Sequence, residues 1–228
     1  MQRPDASPET PGHGTMGLRR FGAVNWIGLD ALFRREVRRF TTIWTQTVLA
    51  PVATSVLFMA VFWLAFGERR GDVHGTGFAA FLAPGIVMMS VIQNAFANTS
   101  SSIIVAKVQG NIVDTLMPPL SPAELLAGYT AGGICRGVVC ALAAGVIIFP
   151  ASGVGLSHPL WALAFVISGS LTLSLMGVLA GIYSEKFDQM AAVTNFFITP
   201  MSFLSGTFYS ISALPEPFLT LSHANPFF

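Results

Sequence analysis

Charge is what this sequence has least of. Only 10% of its 228 residues are Asp, Glu, Lys or Arg, where a soluble domain carries about 25% to keep its surface wet. The shortage excludes an ordinary soluble globule, because only a surface facing lipid tails can do without charge. Net charge is +1, so no basic field for nucleic acid exists. There are two cysteines. Cys135 and Cys140 fall on different faces of a helix and cannot pair with each other, which excludes a disulfide framework. The four histidines, His13, His74, His158 and His223, share no ligand-like spacing, so no metal site is expected. A G-x-x-x-x-G-K-[ST] phosphate loop and a G-x-S-x-G nucleophile turn are both missing, which argues against an ATPase or a serine hydrolase within this chain.

What is present is hydrophobic length. Apolar residues make up 53% of the chain, and the mean hydropathy is +0.65. Some 20 residues of helix cross a hydrocarbon core of about 30 Å. No charge occurs between Arg39 and Glu68, which places a first span at residues 44–66. A second falls at 81–104. The uncharged run 137–184 is twice the needed length and is interrupted by the turn formers between Pro150 and Pro159. It therefore supplies a third span at 129–149 and a fourth at 160–183. A fifth is expected at 190–208, kinked at Pro200. Residues 210–228 are apolar but broken by Pro215, Pro217 and Pro226, and suit a re-entrant or interfacial segment. The expected fold is all-α: a polytopic transmembrane helical bundle.

Residues 1–20 are rich in Pro, Gly, Ser and Thr, and read as a disordered cytoplasmic tail. They lack the apolar stretch and small-residue cleavage site of a signal peptide. Residues 21–41 read as an amphipathic helix. Trp26, Leu29, Phe33, Val37 and Phe40 share one side, with Asp30, Arg34, Arg35 and Arg38 opposite, a pattern suited to the headgroup layer. Arg19, Arg20, Arg34, Arg35, Arg38, Arg39, Lys107 and Lys186 fall on one side of the threaded chain, and only Arg69 and Arg70 on the other. The positive-inside rule then puts the amino terminus in the cytoplasm.

Several features could carry function. Val105, Val108, Ile112 and Leu116 predict a short amphipathic helix beneath the membrane, ended by Pro118 and Pro119, for a protein groove or the headgroups. Ser90, Asn94 and Asn98 form a polar stripe in the second span, and Asn195, Thr199 and Ser202 another in the fifth. Either stripe could line a pathway or bond between helices. Gly128 with Gly132, Gly133 with Gly137, and Gly177 with Gly181 mark close helix packing. Arg136 is the one charge within a span, a costly placement that calls for a partner; Glu124 or Asp114 is expected to provide it.

The runs FRREVRRFTTIWTQTVLAPV, FLAPGIVMMSVIQNAFANTSSSIIVAKVQGNIVDTLMPPLSP, GYTAGGICRG and LSHANPFF together resemble the type-2 ABC transporter permeases, notably the bacterial YadH-like subgroup. The resemblance covers nearly all of the chain after residue 20. It implies an exporter in the bacterial inner membrane, in which a permease dimer, expected to be a homodimer, sits on cytoplasmic ATPase subunits. ATP would be bound by that partner, with no cofactor held by this chain, and an amphiphilic substrate would cross between the spans. It further implies that Asn111, Asp114, Leu116 and Pro118 belong to the coupling region, with Glu185 and Lys186 as a smaller contact. Six spans are expected for the family; five are expected here, because the sequence stops at Phe228, which fits a chain cut short of the last one. The alternative function is an ATP-independent carrier or channel, against which stands the lack of any acidic residue in the spans.

Overall fold

The computed structural model describes residues 24–66, 77–205, 207, 215, 219–220 and 225. The tail 1–20, the loop after the first span and most of 206–228 lie outside the described residues. Within them every regular element is helical. Helix α1 (Trp26–Thr42) is capped by Asn25, whose Oδ1 accepts from Gly28 N at 3.0 Å. A π turn (Thr45–Leu49) leads into α2 (Ala50–Phe66), followed by α3 (Phe78–Val108), the short α4 (Ile112–Leu116), α5 (Pro122–Ser152) and α6 (Pro159–Tyr183). Then come α7 (Phe187–Val193), a second π turn (Thr194–Ile198) and α8 (Thr199–Phe203).

Among the described residues, four helical stretches are long and apolar enough to cross a membrane: Thr45–Ala65, Phe78–Val108, Pro122–Ser152 and Pro159–Tyr183. They coincide with the first four expected spans, with both 31-residue helices running past the expected ends. At 1.5 Å per residue each is roughly 46 Å long, so α3 and α5 extend beyond a hydrocarbon core. The C-terminal end of α3 and the N-terminal end of α5 are joined through α4. The fifth expected span corresponds to the described helical run of α7, the π turn and α8, and no single helix there reaches membrane-crossing length.

Local chemistry sets the boundaries. Ser121 and Glu124 form a reciprocal capping box at the start of α5, with Pro122 in its first turn, which satisfies otherwise orphaned amides. Gly153, at φ 70°, closes α5 in the left-handed conformation that glycine adopts without strain. The helix therefore runs through Pro150, and the turn between the third and fourth spans is shorter than expected. Both π turns precede a proline. Pro51 cannot donate to the carbonyl four residues back, which is Thr47's, and the buried Cys140 places its Sγ 3.6 Å from that oxygen.

Helix α3 is the central element and packs mainly on α5 and α6. Its contacts run over small residues, as expected from the glycine pairs. A β-carbon at Gly177 would stand 2.6 Å from the Phe96 carbonyl oxygen, and one at Gly181 2.9 Å from Ile103 Cβ. Gly133 and Gly137 face Ser174 and Ser170 of α6. The outer surfaces are apolar: Leu64, Val146, Leu160 and Phe165 are all exposed, as a lipid-facing wall requires.

Candidate functional site

Helix α1 meets the bundle through a stripe that shares only Phe40 with the apolar side read from the sequence. Its buried residues are Leu32, Glu36 and Phe40, an i, i+4, i+8 stripe, while Trp26 is 70% exposed. The reason lies in α5. A β-carbon at Gly128 would come 2.5 Å from Leu32 Cδ2, and one at Gly132 would come 2.5 Å from Glu36 Cβ. The two glycines make a groove into which α1 settles, and Glu36 goes down with it.

Glu36 is fully buried, yet every described neighbour of its carboxylate is a donor. Oε1 accepts from Ser102 Oγ at 2.7 Å and Arg35 Nη2 at 3.2 Å; Oε2 accepts from Arg39 Nη2 at 3.1 Å. The arginines carry the network outward. Arg39 also donates to the Asn98 carbonyl at 2.6 Å, to Asn98 Oδ1 at 3.1 Å and to Ser101 Oγ at 3.1 Å. Arg35 donates to Thr115 Oγ1 on α4 at 2.8 Å and to the Tyr129 hydroxyl on α5 at 3.1 Å. Burial acts to lower the Arg35 pKa, but the Tyr129 hydroxyl and the Glu36 carboxylate outweigh it and the net direction is upward, so Arg35 stays charged. One buried carboxylate thus ties α1 to α3, α4 and α5. Sequence reasoning missed it, although a lone acid between two Arg-Arg pairs, four residues from Leu32 and from Phe40, was the available signal.

The expected coupling residues lie around this network. The predicted stripe from Val105 to Leu116 is not one helix: Gly110, at φ 77°, ends α3 and redirects the chain, so α4 stands apart. Its inner side presents buried Thr115; Val113, Leu116 and Met117 are exposed, as are Asn111, Asp114 and Pro118. A groove of about 990 Å³ between α1, the end of α3 and α4 is lined by Arg34, Arg35, Arg38, Arg39, Asn111 and Asp114, among others. Glu185 and Lys186 are exposed in the α6–α7 connection. Lys107, at the end of α3, donates to the carbonyls of Ile182 and of Ser184 (3.0 Å for the latter), which joins the two connections.

A second cavity, of about 410 Å³, lies between the first π turn, α2, α3 and the second π turn. Ser90 and Asn94 from one predicted stripe and Thr199 from the other share its wall, with Gln46, Gln93 and Thr194. The remaining stripe residues go elsewhere. Asn98 is fully buried against Arg39, Ser202 is buried and donates to Ile198 O at 2.7 Å, and Asn195 is exposed.

Arg136 has neither expected partner. Glu124 is occupied by the backbone amides of Asn25 (2.6 Å) and Ser121 (2.7 Å), and Asp114 is exposed on α4. Arg136 Nη2 donates instead to Asn94 Oδ1 at 2.8 Å. Capping was the stronger demand on Glu124, because the first amides of a helix have no other partner.

A bundle of long apolar helices with an apolar outer wall, a half-open cavity carrying several polar side chains and a further helix tied to one end fits the membrane part of a transporter. The chain belongs to the ABC-2 type transporter family, whose domain matches residues 28–228. It is 39% identical over 202 residues to the inner membrane transport permease YadH of Escherichia coli strain K12, covering 88% of this chain and 78% of that protein. It is 24% identical over 214 residues to nodulation protein J of Rhizobium leguminosarum bv. viciae, covering 89% of this chain and 80% of that protein. No solved structure matches it. The protein is accordingly a permease, the membrane subunit of an ABC transporter.

Proposed function

We propose that two copies of this chain form the pathway of an exporter in the bacterial inner membrane, driven by cytoplasmic ATPase subunits that bind the ATP. The amino terminus lies in the cytoplasm, α1 rests in the headgroup layer, and the α7–α8 run makes a fifth crossing. The exposed apolar side of α4, Val113, Leu116 and Met117, docks into the ATPase, with Asn111, Asp114 and Pro118 beside it and Glu185 and Lys186 as the smaller contact.

The observation that carries this reading is the path from that surface inward. Thr115 on α4 holds Arg35, Arg35 holds Glu36, and Glu36 holds Ser102 on α3, the helix that also lines the 410 Å³ cavity through Ser90 and Asn94. When ATP closes the ATPases, α4 is pushed, and α1 and α3 tilt with it as one unit. ATP biases the equilibrium because it binds the closed arrangement more tightly. The cavity then opens outward to release an amphiphile.

The test is reconstitution of the full-length chain in vesicles with and without its ATPase. Flux that needs both ATP and the ATPase supports the proposal. Flux that persists without either would establish a carrier or channel instead.

A further inference from the structure

A buried charge among membrane-spanning helices is costly unless something compensates it. Arg136 sits halfway along α5 and is 8% exposed. Its Nη2 donates to the neutral Asn94 amide, its Nε finds no acceptor, and no ion pair among the described residues includes it. Arg39, by contrast, is held by Glu36. Arg136 therefore keeps an uncancelled positive charge, and Asn94, to which it donates, is itself part of the wall of the 410 Å³ cavity.

The cavity wall adds no negative charge to oppose it. Its polar residues are neutral, including Gln46, Ser90, Gln93 and Thr199, with Phe58 on the apolar part and no acid among the described lining residues. Ser90 belongs to the wall and is 7% exposed, and its buried hydroxyl has no partner, which leaves an uncommitted donor just behind the surface. We infer that this cavity accepts an anionic amphiphile, with a phosphate, sulfate or carboxylate head bonded by Ser90 and the neighbouring amides and drawn by the Arg136 charge. The head supplies the counter-charge that the protein lacks, and the apolar wall takes the start of the tail. The inference rests on the permease reading and deepens it by fixing the sign of the substrate.

Tail-matched probes test it: radiolabelled dodecyl phosphate, dodecanoate, dodecyl glucoside and dodecyltrimethylammonium, offered at equal subsaturating concentration to vesicles holding the full-length chain and its ATPase. The two anions are expected to accumulate roughly tenfold faster than the glucoside, the scale on which a buried charge discriminates. Phosphate ahead of carboxylate would mark a phosphate-type head, and the reverse order a carboxylate. Ser90→Asp seats a carboxylate one turn from Asn94, and Arg136→Gln removes the charge; each should bring the ratio to about one. Ser90→Asp keeps Arg136, so it decides the matter even where Arg136→Gln does not assemble. ATP-driven accumulation that favours the neutral or cationic probe overturns the anion assignment and leaves the permease reading standing. An anion preference that survives either variant also overturns it. No ATP-driven accumulation of any probe would sink both.

Discussion

Ser102 Oγ donates to Glu36 Oε1 at 2.7 Å across the boundary between α3 and α1, and through that bond α1 grips the central helix of the bundle. Arg39 pins the same two helices through Asn98 and Ser101, but without the Ser102 bond Glu36 itself would have no partner on α3. With it, a fully buried carboxylate must move with α3 or lose a donor in a place where water cannot replace it.

Glu36→Gln is expected to destabilise the protein by about 3 kcal/mol, the scale of breaking a buried pair by altering one partner. The amide is nearly isosteric but carries a donor where the carboxylate has an acceptor. Either way it turns, its NH2 faces an arginine, since Arg35 approaches one oxygen and Arg39 the other. Glu36→Ala is expected to cost at least as much. Thermal unfolding of the detergent-solubilised protein, followed by tryptophan fluorescence, measures both. A Glu36→Gln protein as stable as the parent would show that the pair carries no weight.

Thr115→Val should separate coupling from folding. It deletes one hydrogen bond, from Arg35 at 2.8 Å, worth about 1.5–3 kcal/mol because the donor is charged. The half-exposed Arg35 guanidinium keeps Tyr129 and Glu36 as partners. The protein is expected to assemble and to support ATP hydrolysis by its ATPase, while substrate moved per ATP falls several-fold. Thr115→Ser, which retains the hydroxyl, should restore the ratio. An unchanged ratio in Thr115→Val would remove α4-to-α1 transmission from the mechanism.

The helices were legible because crossing a membrane demands some twenty apolar residues, and charge-free runs of that length are unmistakable. Their ends were legible in part: α6 begins at Pro159, where the break was expected to close, but α5 runs through Pro150 and ends only at Gly153. The facing of α1 was not legible. An amphipathic pattern separates two sides of a helix, but it does not say which side meets lipid and which meets protein when both are partly apolar. Gly128 and Gly132 settle that by admitting Leu32 and Glu36, and the pairing of a helix with a groove almost a hundred residues away leaves no periodic trace. The break at Gly110 was hidden by the continuing stripe on either side. The stripe residues Ser90, Asn94 and Thr199 meet at one cavity, but Asn98 and Ser202 do not, since polarity at helical spacing marks what must avoid lipid rather than what it touches instead.

The glycines give a graded series. Gly177→Ala would drive a methyl to 2.6 Å from a backbone oxygen, that of Phe96, which cannot rotate away, so α3 and α6 must separate. Gly132→Ala meets Glu36 Cβ at 2.5 Å, and α1 must lift. Overpacking of this kind costs about 1–3 kcal/mol. Gly145→Ala meets only the Phe149 ring, at 3.2 Å, and adds helix propensity, so it should be near neutral. Melting temperatures are expected in the order Gly177→Ala below Gly132→Ala below Gly145→Ala. Equal values for all three would mean that the helices do not pack through these glycines.

Orientation is open to a direct chemical test. Asp114 is exposed on α4, next to the proposed docking face, and the arginine and lysine distribution predicts a cytoplasmic place for that connection. Cys135 is half-buried and Cys140 buried, so both are first replaced by alanine to leave a silent background. Asp114→Cys in that background is expected to react with a membrane-impermeant maleimide in inside-out vesicles and to stay unlabelled in right-side-out ones. Adding the ATPase should then slow the labelling several-fold, because a docked α4 excludes reagent from the edge that Asp114 occupies. Labelling from the outer side would invert the topology and remove α4 from reach of any cytoplasmic partner. Labelling from the inner side at a rate indifferent to the ATPase would keep the topology and move the docking face elsewhere.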